Sequence, residues 1–328
     1  MKASYKVSII IAGLVLLSFL GYSVVCGSST KKVNDQYIIS AAELPEALAF
    51  AGDSVPLQKF DVRESLDREI HINIYFQSQT ILILKRANRF LPEIERILKE
   101  EGVPADFKYL AVAESGLTNV VSPAKAAGFW QFLKSTGQKY NLKITDEVDE
   151  RYHLEKATRA ACQYLKELYG MFGNWTLAAA AYNVGENRLK DILANQKVSS
   201  YYDLWLNEET ARYIFRILAL KLIIENPVAY GFSIPEKDLY QPLQYIELSV
   251  DSTVTDLARF ALAQKSNLKM LVYFNPWIRS NSLTCKTNEK YTIRIPAPGF
   301  RESVESSNYQ SYLQQNCDTT SKHKTTSF

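Results

Sequence analysis

The sequence predicts a mainly α-helical protein that ends in a small β-α-α-β unit. Two observations lead to this fold class. From Leu57 to Pro227 nearly every segment repeats its apolar residues at helical spacing, and short Gly or Pro loops separate the segments. After Pro235 two strand-like segments, residues 243–250 and 291–296, enclose two short amphipathic segments.

The N-terminus has the pattern of an export signal. Lys2 and Lys6 precede an apolar run from Val7 to Cys26 that contains no charged residue. Its length fits either a cleaved signal or a retained membrane anchor. Cys26 followed by Gly-Ser-Ser is similar to a lipoprotein acceptor site, so a lipid anchor is a further possibility. We expect residues 1–27 to form this signal or anchor and residues 28–56 to form a linker or N-terminal arm.

The composition argues against nucleic-acid binding and against a metal site. The chain has 38 basic and 35 acidic residues, well interspersed, and a formal net charge of +3. Its three His residues lie far apart without the spacing of metal ligands, so we expect no metal and no cofactor. In an exported protein Cys285 and Cys317 could pair, whereas Cys162 fits a buried thiol in a helix.

The helical block divides at its Gly and Pro residues. Residues 75–104 predict two helices, the second with Leu91, Ile94, Ile97 and Leu98 on one side and an end near Gly102. We expect Asp106 to cap the following helix and Asn174 to cap a later helix with four consecutive Ala residues, which permit close packing.

Glu114 is the most unusual charged residue of this block. It follows Leu110 by four residues and Phe107 by seven, which places it on the apolar face of a helix. A buried Glu is rare unless a partner neutralises it or the protein keeps it protonated. The Glu-Ser dipeptide itself has no specificity, because it also occurs at Glu64, Glu302 and Glu305 in charged or Ser-rich contexts.

Four segments in order resemble the catalytic domain of the lytic murein transglycosylases, and most closely their membrane-bound D type. The segments are AESGL, SPAKAAGFWQFLKSTGQKYNL, VDERYHLEKATRAACQYLKELYGMFGNWTLAAAAYNVGENRL and EETARYIFRILA. The resemblance extends from about Val55 to about Tyr230 and implies a lysozyme-like helical fold. Four motifs at family-like spacing are far more specific than any one of them alone.

The resemblance also implies roles for individual residues. Glu114 matches the single catalytic acid/base of the family, and Ser115 is the neighbour that helps to hold it. The family's substrate-binding positions fall on Ser115, Ser122, Gln131, Tyr182, Asn183 and Tyr213. Trp130 is usual in the D type, and Lys125 replaces a small residue, which changes the local charge of the groove. From the residues alone, core packing explains Tyr182 and Tyr213 equally well.

The implied reaction is non-hydrolytic cleavage of the β-1,4 bond between N-acetylmuramic acid and N-acetylglucosamine in peptidoglycan, which gives 1,6-anhydromuramoyl products. Such an acid/base works best with a pKa near neutrality, which an apolar environment favours. One alternative is a lysozyme-type hydrolase that takes a second carboxylate from Asp146–Glu150, although such acidic runs are most often solvated. A second alternative is a non-catalytic peptidoglycan-binding protein, and a third is a helical scaffold.

The C-terminal unit, about Leu239 to Pro296, weakly resembles a LysM module that binds N-acetylglucosamine chains. It lacks the usual Gly-Asp turn after the first strand, so a degenerate copy is the expectation. The predicted organisation is a transglycosylase domain at 57–232, a LysM-like module at 233–300 and a flexible tail at 301–328. The expected protein is an exported monomer of the bacterial cell envelope, held at a membrane by its N-terminus and bound to peptidoglycan glycan strands.

Overall fold

The computed structural model describes residues 41–301 of the 328-residue chain. The predicted signal or anchor, residues 28–40 of the predicted arm, Cys317 and nearly all of the predicted tail lie outside the described residues. Within residues 41–301 no helix has the length and apolar character needed to cross a membrane.

The described residues form a helical block followed by a β-α-α-β unit, which confirms the predicted fold class. A short hairpin, β1 (Ala49–Phe50) and β2 (Asp53–Ser54), precedes the helices. The helices of the block are α1 (Phe60–Tyr75), α2 (Gln77–Glu100), α3 (Lys108–Ser115), α4 (Lys134–Lys139), α5 (Leu154–Phe172), α6 (Trp175–Val184), α7 (Glu186–Gln196) and α8 (Glu208–Glu225). The C-terminal unit contains β3 (Tyr245–Val250), α9 (Leu257–Ala263), α10 (Leu268–Phe274) and β4 (Tyr291–Pro296).

The prediction of two helices in residues 75–104 is wrong, because α2 is one continuous helix of 24 residues with Pro92 inside it. An internal proline removes one backbone hydrogen bond and costs about 3 kcal/mol. The predicted apolar stripe is buried as expected: Leu91, Ile94, Ile97 and Leu98. Four further side chains of α2 are also buried: Thr80, Ile83, Leu84 and Ala87. Since each large apolar side chain contributes about 1.5 to 3 kcal/mol on burial, the stripe outweighs the proline.

The predicted cap at Asp106 is also wrong. A single 3₁₀ turn, Ala105–Phe107, leads directly into α3, and the N-terminus of α3 has no side-chain cap. The Asp106 carboxylate instead accepts hydrogen bonds from the backbone N–H of Ala51 at 2.8 Å and from the ammonium of Lys221 at 2.7 Å. The ion pair with Lys221 stabilises the Asp106 carboxylate more than capping α3 would, because the 3₁₀ turn already runs into the start of α3.

The helix that carries Glu114 is held in the centre of the block. Helix α3 packs on α2 and α8, while α6 packs on α5, α7 and α8. The four alanines predicted to allow close packing, Ala178–Ala181, are fully buried, and the Asn174 side chain accepts a hydrogen bond from the backbone N–H of Leu177 as predicted. Helix α1 lies against α8, where Arg212 pairs with Glu69 at 2.7 Å. Because Glu69 is only 1% exposed, this ion pair fixes the two helices in register.

In the C-terminal unit β3 and β4 pair antiparallel from Tyr245 opposite Pro296 to Val250 opposite Tyr291. Asp256 and Asn267 cap the starts of α9 and α10, and each side chain accepts a hydrogen bond from the backbone N–H three residues later. A second apolar core lies beneath them, and it includes Ala127 and Val148 of the helical block.

The loop before α5 connects the helical block to this unit. Val148 forms a backbone bridge with Ile278, and the N–H of Arg279 donates to the carbonyl of Glu147 at 2.8 Å. The Glu147 carboxylate also accepts from the hydroxyl of Ser282 at 2.7 Å and the N–H of Thr284 at 2.9 Å. Glu147 is therefore a structural contact between the two parts.

Two further acidic residues of this loop, Asp149 and Glu150, are buried rather than solvated. Asp149 and Glu150 are 7% and 5% exposed, and each pairs with a cation in the same segment, Arg151 and Lys156. The general expectation of a solvated run holds for Asp146, which is exposed, and is wrong for Asp149 and Glu150, because neighbouring basic residues compensate their buried charges.

Candidate active site

Glu114 lies in the last turn of α3, where the helix ends against a loop. Gly116 ends the helix with a φ of 57°, a left-handed conformation that favours glycine. Leu110, one turn earlier, is fully buried, whereas Glu114 keeps part of its surface exposed. The helix thus presents a carboxyl group at the boundary between core and solvent, where a ligand can reach it.

The carboxyl of Glu114 accepts a hydrogen bond from the hydroxyl of Tyr213 on α8. The packed protein around the carboxyl disfavours its charged form and raises the pKa of Glu114 to about 7. The hydrogen bond from Tyr213 and the positive charge of Arg216 oppose this shift, and the negative charge of Glu209 adds to it. At neutral pH the carboxyl therefore exists in both protonation states, which is what a group that must both donate and accept a proton requires.

Tyr182 on α6 lies close to the same carboxyl. Burial raises the pKa of Tyr182 well above its usual value, and the charge of Glu114 adds to that shift. Its hydroxyl donates to the backbone carbonyl of Trp130 at 2.7 Å, and its ring packs against Phe132 and Tyr164. Tyr182 is thus a rigid neutral side chain whose proton remains in place at any physiological pH.

Ser115 connects the end of α3 to the loop that follows Ala127. Its Oγ lies 3.0 Å from the carbonyl oxygen of Phe129 and 3.1 Å from that of Ala111, and it accepts a hydrogen bond from the N–H of Leu117 at 3.2 Å. These contacts fix the backbone immediately after Glu114.

The segment Gly128–Gln131 forms a tight turn next to Glu114. Gly128 has a φ of 79°, and a Cβ at this position would overlap the carbonyl of Arg151. Trp130 is fully buried and donates from its ring N–H to the hydroxyl of Thr158 at 2.9 Å. The Gln131 amide nitrogen donates to the carbonyls of Gly128 at 2.8 Å and Val120 at 3.1 Å, so its amide oxygen is the group left for a ligand.

Ser122 and Asn183 differ in what their side chains contact. The Ser122 hydroxyl accepts from the N–H of Ala126 at 3.0 Å and so closes a turn in its own loop. Asn183 is partly exposed one residue after Tyr182, and among residues 41–301 its amide has no hydrogen-bond partner in the protein. An amide in this position can bond to a ligand without breaking an existing contact.

The structure brings Glu114, Tyr213 and Tyr182 together from three helices, with Ser115 and Gln131 on the adjoining turns. The carboxylates of Glu147, Asp149 and Glu150 are occupied by the structural contacts described above. Within the described part of the chain, no group of three or more His, Cys, Asp or Glu side chains could hold a metal ion.

Reasoning from the sequence missed Arg216 and Glu209. Both lie on α8, and their opposite charges act on the Glu114 carboxyl. Arg216 follows Tyr213 by three residues, the spacing of one helical face, so this spacing could have identified it once Tyr213 was assigned to the site.

Comparisons with known proteins identify both parts of the chain. Residues 92–204 match the Transglycosylase SLT domain, and residues 246–299 match the Soluble lytic transglycosylase C-terminal LysM-like domain. The chain carries an SLT transglycosylase domain. The SLT match contains Glu114, Gln131, Tyr182 and Asn183 but ends before Tyr213.

The chain is 32% identical over 270 residues to the membrane-bound lytic murein transglycosylase D of Escherichia coli strain K12, and equally to that of strain O6:H1. These alignments cover 79% of this chain and 58% of the relatives, so the chain spans less than two thirds of their length. A solved structure of an inactive variant of lytic transglycosylase Slt from Pseudomonas aeruginosa matches 48% of this chain and 26% of its own, at 21% identity and a TM-score of 0.35.

Proposed function

We propose that the protein is a peptidoglycan lytic transglycosylase that acts in cell-wall turnover. It cleaves the β-1,4 bond between N-acetylmuramic acid and N-acetylglucosamine without water. The observation that carries this proposal is the carboxyl of Glu114, whose pKa is about 7, held by Tyr213 within the SLT domain. The membrane-bound lytic murein transglycosylase D of Escherichia coli, to which the chain is similar, bears a name that agrees with this activity.

In the proposed mechanism Glu114 acts first as an acid. It donates its proton to the glycosidic oxygen as the bond from that oxygen to C1 of the muramoyl residue breaks. The resulting carboxylate then takes the proton of the muramoyl C6 hydroxyl, whose oxygen forms the new bond to C1. No water is consumed, and Glu114 ends in the protonated state in which it began.

One carboxyl is enough for this sequence of steps. An ordinary glycosidase needs a second carboxylate as a nucleophile or to activate water. Of the acidic residues weighed for that role at the sequence level, Glu147 holds the C-terminal unit, Asp149 and Glu150 are paired with cations, and Asp146 is exposed to solvent. The internal hydroxyl of the substrate replaces the second carboxylate, which favours the transglycosylase over the hydrolase.

The other residues position the acid or the sugar. Tyr213 holds the carboxyl, and the three contacts of Ser115 fix the backbone behind it. We assign Gln131 and Asn183 to the N-acetyl groups or hydroxyls of the glycan, because each has an amide atom free of protein contacts among the described residues. Tyr182 supplies a wall of the groove, and Ser122 shapes the loop at its edge.

The proposal includes the domain division and the location predicted from the sequence. A transglycosylase domain at 57–232 and a LysM-like module at 233–300 agree with the two matched segments, 92–204 and 246–299. Export to the bacterial envelope, with a membrane anchor or lipoprotein linkage at residues 1–27, is supported by the apolar run and by the similarity to a membrane-bound relative. A monomer binding glycan strands remains the expected state.

Mass spectrometry of the products tests the proposal. Purified peptidoglycan is incubated with the full chain in mild detergent, either wild type or Glu114→Gln. A matched control is Glu64→Gln, which alters another Glu-Ser dipeptide on the exposed face of α1. We expect 1,6-anhydromuropeptides, one water lighter than hydrolysis products, from the wild type and the control and none from Glu114→Gln.

Two other outcomes contradict the proposal. Water-added reducing ends in the wild-type digest make the protein a lysozyme-type hydrolase and direct attention to Glu209, whose charge reaches Glu114. Binding to peptidoglycan without release of any muropeptide makes it a binding protein.

A further inference from the structure

A cavity lies at the junction of the helical block and the C-terminal unit. Its volume is about 650 Å³, which is within the range of cavities that bind small ligands. The helical block contributes the loop after Glu114, Leu117–Asn119, together with Phe129 and part of α2. The C-terminal unit contributes residues from β3, the end of α10 and the start of β4.

The cavity adjoins the active site through a shared stretch of backbone. Leu117 follows Glu114 by three residues, and three residues span at most about 11 Å. Phe129, which lines the cavity, is also the residue whose carbonyl contacts Ser115. A ligand in this cavity can therefore be part of the same molecule whose glycosidic bond lies at Glu114.

The charges around the cavity leave two cations unpaired. Its four carboxylates all have cationic partners: Glu93 with Arg96, Glu150 with Lys156, and both Glu155 and Glu247 with Arg294. Arg89 and Lys290 also line the cavity, and among residues 41–301 neither forms an ion pair with a carboxylate.

The guanidinium of Arg89 is held in place by protein contacts, yet one of its nitrogens remains available to a ligand. Its Nε donates to the carbonyl of Gln241 at 2.8 Å and its Nη1 to the hydroxyl of Tyr273 at 2.9 Å, while its guanidinium lies over the ring of Tyr240. Within the described part of the chain, Nη2 has no acceptor in the protein. A guanidinium held in this way is prepared for a carboxylate, since little side-chain freedom remains to be lost.

The remaining walls offer neutral hydrogen-bonding and apolar contacts. His153 stacks on Trp277 with a centroid distance of 5.9 Å, and no side-chain hydrogen bond from the described residues reaches its ring. Burial, with the nearby charges of Lys156 and Arg294, lowers the pKa of His153 to about 3, so the ring offers one donor and one acceptor at neutral pH. Tyr273 adds a half-exposed aromatic surface.

We propose that this cavity binds the carboxylate-bearing peptide stem of the peptidoglycan strand, with Arg89 and Lys290 as the groups that recognise its carboxylates. This inference rests on the proposed function, because it takes its ligand from the same substrate. A peptide of four residues spans up to about 14 Å, enough to reach the cavity from a sugar at Glu114. A neutral glycan would not need two unpaired cations, so the stem fits the lining better than a sugar ring does.

Binding measurements in a catalytically blocked background test the proposal. The full chain with Glu114→Gln, in mild detergent, is titrated with the disaccharide that carries a tetrapeptide stem and with the same disaccharide without peptide. Lys290→Glu and Arg89→Gln are each added to this background. The matched controls are Lys269→Glu, an exposed lysine of α10, and Lys85→Gln, one turn before Arg89 on α2; neither control residue lines the cavity.

We expect Lys290→Glu and Arg89→Gln to weaken binding of the stem-bearing disaccharide about three- to tenfold, with no change for the peptide-free disaccharide and none in the controls. Equal loss for both ligands would show that the cavity holds sugar, and no loss for either would show that it holds neither; both results overturn the proposal.

The binding test is independent of the proposed reaction. If the wild type releases no anhydro products while Lys290→Glu still weakens stem binding selectively, the function fails and the inference stands. If anhydro products form but the variants bind both ligands like the parent, the function stands and the inference fails.

Discussion

The hydroxyl of Tyr213 donates a hydrogen bond to the carboxyl of Glu114 from a residue 99 positions later in the chain. This bond favours the charged form of the carboxyl, whereas burial favours the neutral form. The balance between the two sets the pH range in which Glu114 can serve as an acid.

Tyr213→Phe removes the hydrogen bond and leaves the burial unchanged. Since a hydrogen bond to a charged group is worth about 1.5 to 3 kcal/mol, we expect the pKa of Glu114 to rise by about one to two units. The pH dependence of kcat/KM with soluble glycan reports this shift as an upward movement of the basic limb. Tyr230→Phe is the control, at a buried tyrosine whose pKa is raised by burial alone, and it should leave the profile in place.

Glu209→Gln and Arg216→Gln should move the pKa of Glu114 in opposite directions. The negative charge of Glu209 raises this pKa and the positive charge of Arg216 lowers it, so removing the first lowers the pKa and removing the second raises it. The same pH profile measures both, and the effect should weaken in high salt because Glu209 is exposed. Glu208→Gln, whose carboxylate lies 3.4 Å from Arg212, serves as the control. Shifts in the same direction for both variants would show that these charges do not act on Glu114.

The free energy of unfolding should depend on pH through the ionisation of Glu114. Its pKa in the folded protein, about 7, exceeds the usual value of 4.5. Its contribution is therefore fully present below about pH 4.5 and is lost as the pH rises through 7. Glu114→Gln cannot ionise, so its free energy of unfolding should exceed that of the wild type above pH 7, by up to about 3 kcal/mol.

Urea unfolding of wild type and Glu114→Gln at pH 4 and pH 8 measures this difference. A stability difference that is the same at both pH values would mean that the carboxyl titrates normally in the folded protein.

Gly128→Ala should destabilise the protein by about 3 kcal/mol or more. The new Cβ would lie 2.8 Å from the carbonyl carbon of Arg151, and the φ of 79° is unfavourable for alanine. Gly173→Ala is the matched control, because its φ is 64° and a Cβ there meets no atom within 4 Å. The control should lose only about 1 kcal/mol for its backbone conformation. Equal losses in urea unfolding would show that the close approach to Arg151 has no energetic role.

The sequence pattern predicted the helical block and the C-terminal unit because both depend on local periodicity. It failed in residues 75–104, where two helices were predicted and the buried stripe instead belongs to one continuous helix, α2, that accommodates Pro92. It also failed at Asp106, whose partners Ala51 and Lys221 are 55 and 115 residues away and leave no local signal.

The site shows the same division between local and distant information. The apolar spacing around Glu114 indicated an unusual carboxyl, but nothing in the spacing of α3 indicates that Tyr213 would meet it. Tyr213 and Tyr182 were identified through the resemblance to a known family. The structure shows how each lies near the carboxyl. Neither source named Arg216 and Glu209, although the helical spacing from Tyr213 could have identified Arg216.

The backbone bridge between Val148 and Ile278 means that the C-terminal unit is not an exchangeable cassette. Replacing it with an unrelated module would leave N–H or carbonyl groups of the loop before α5 without partners and would expose the apolar surface around Ala127. A chimera of this chain would have to carry residues 145–149 along with the unit they contact, as one transplanted block.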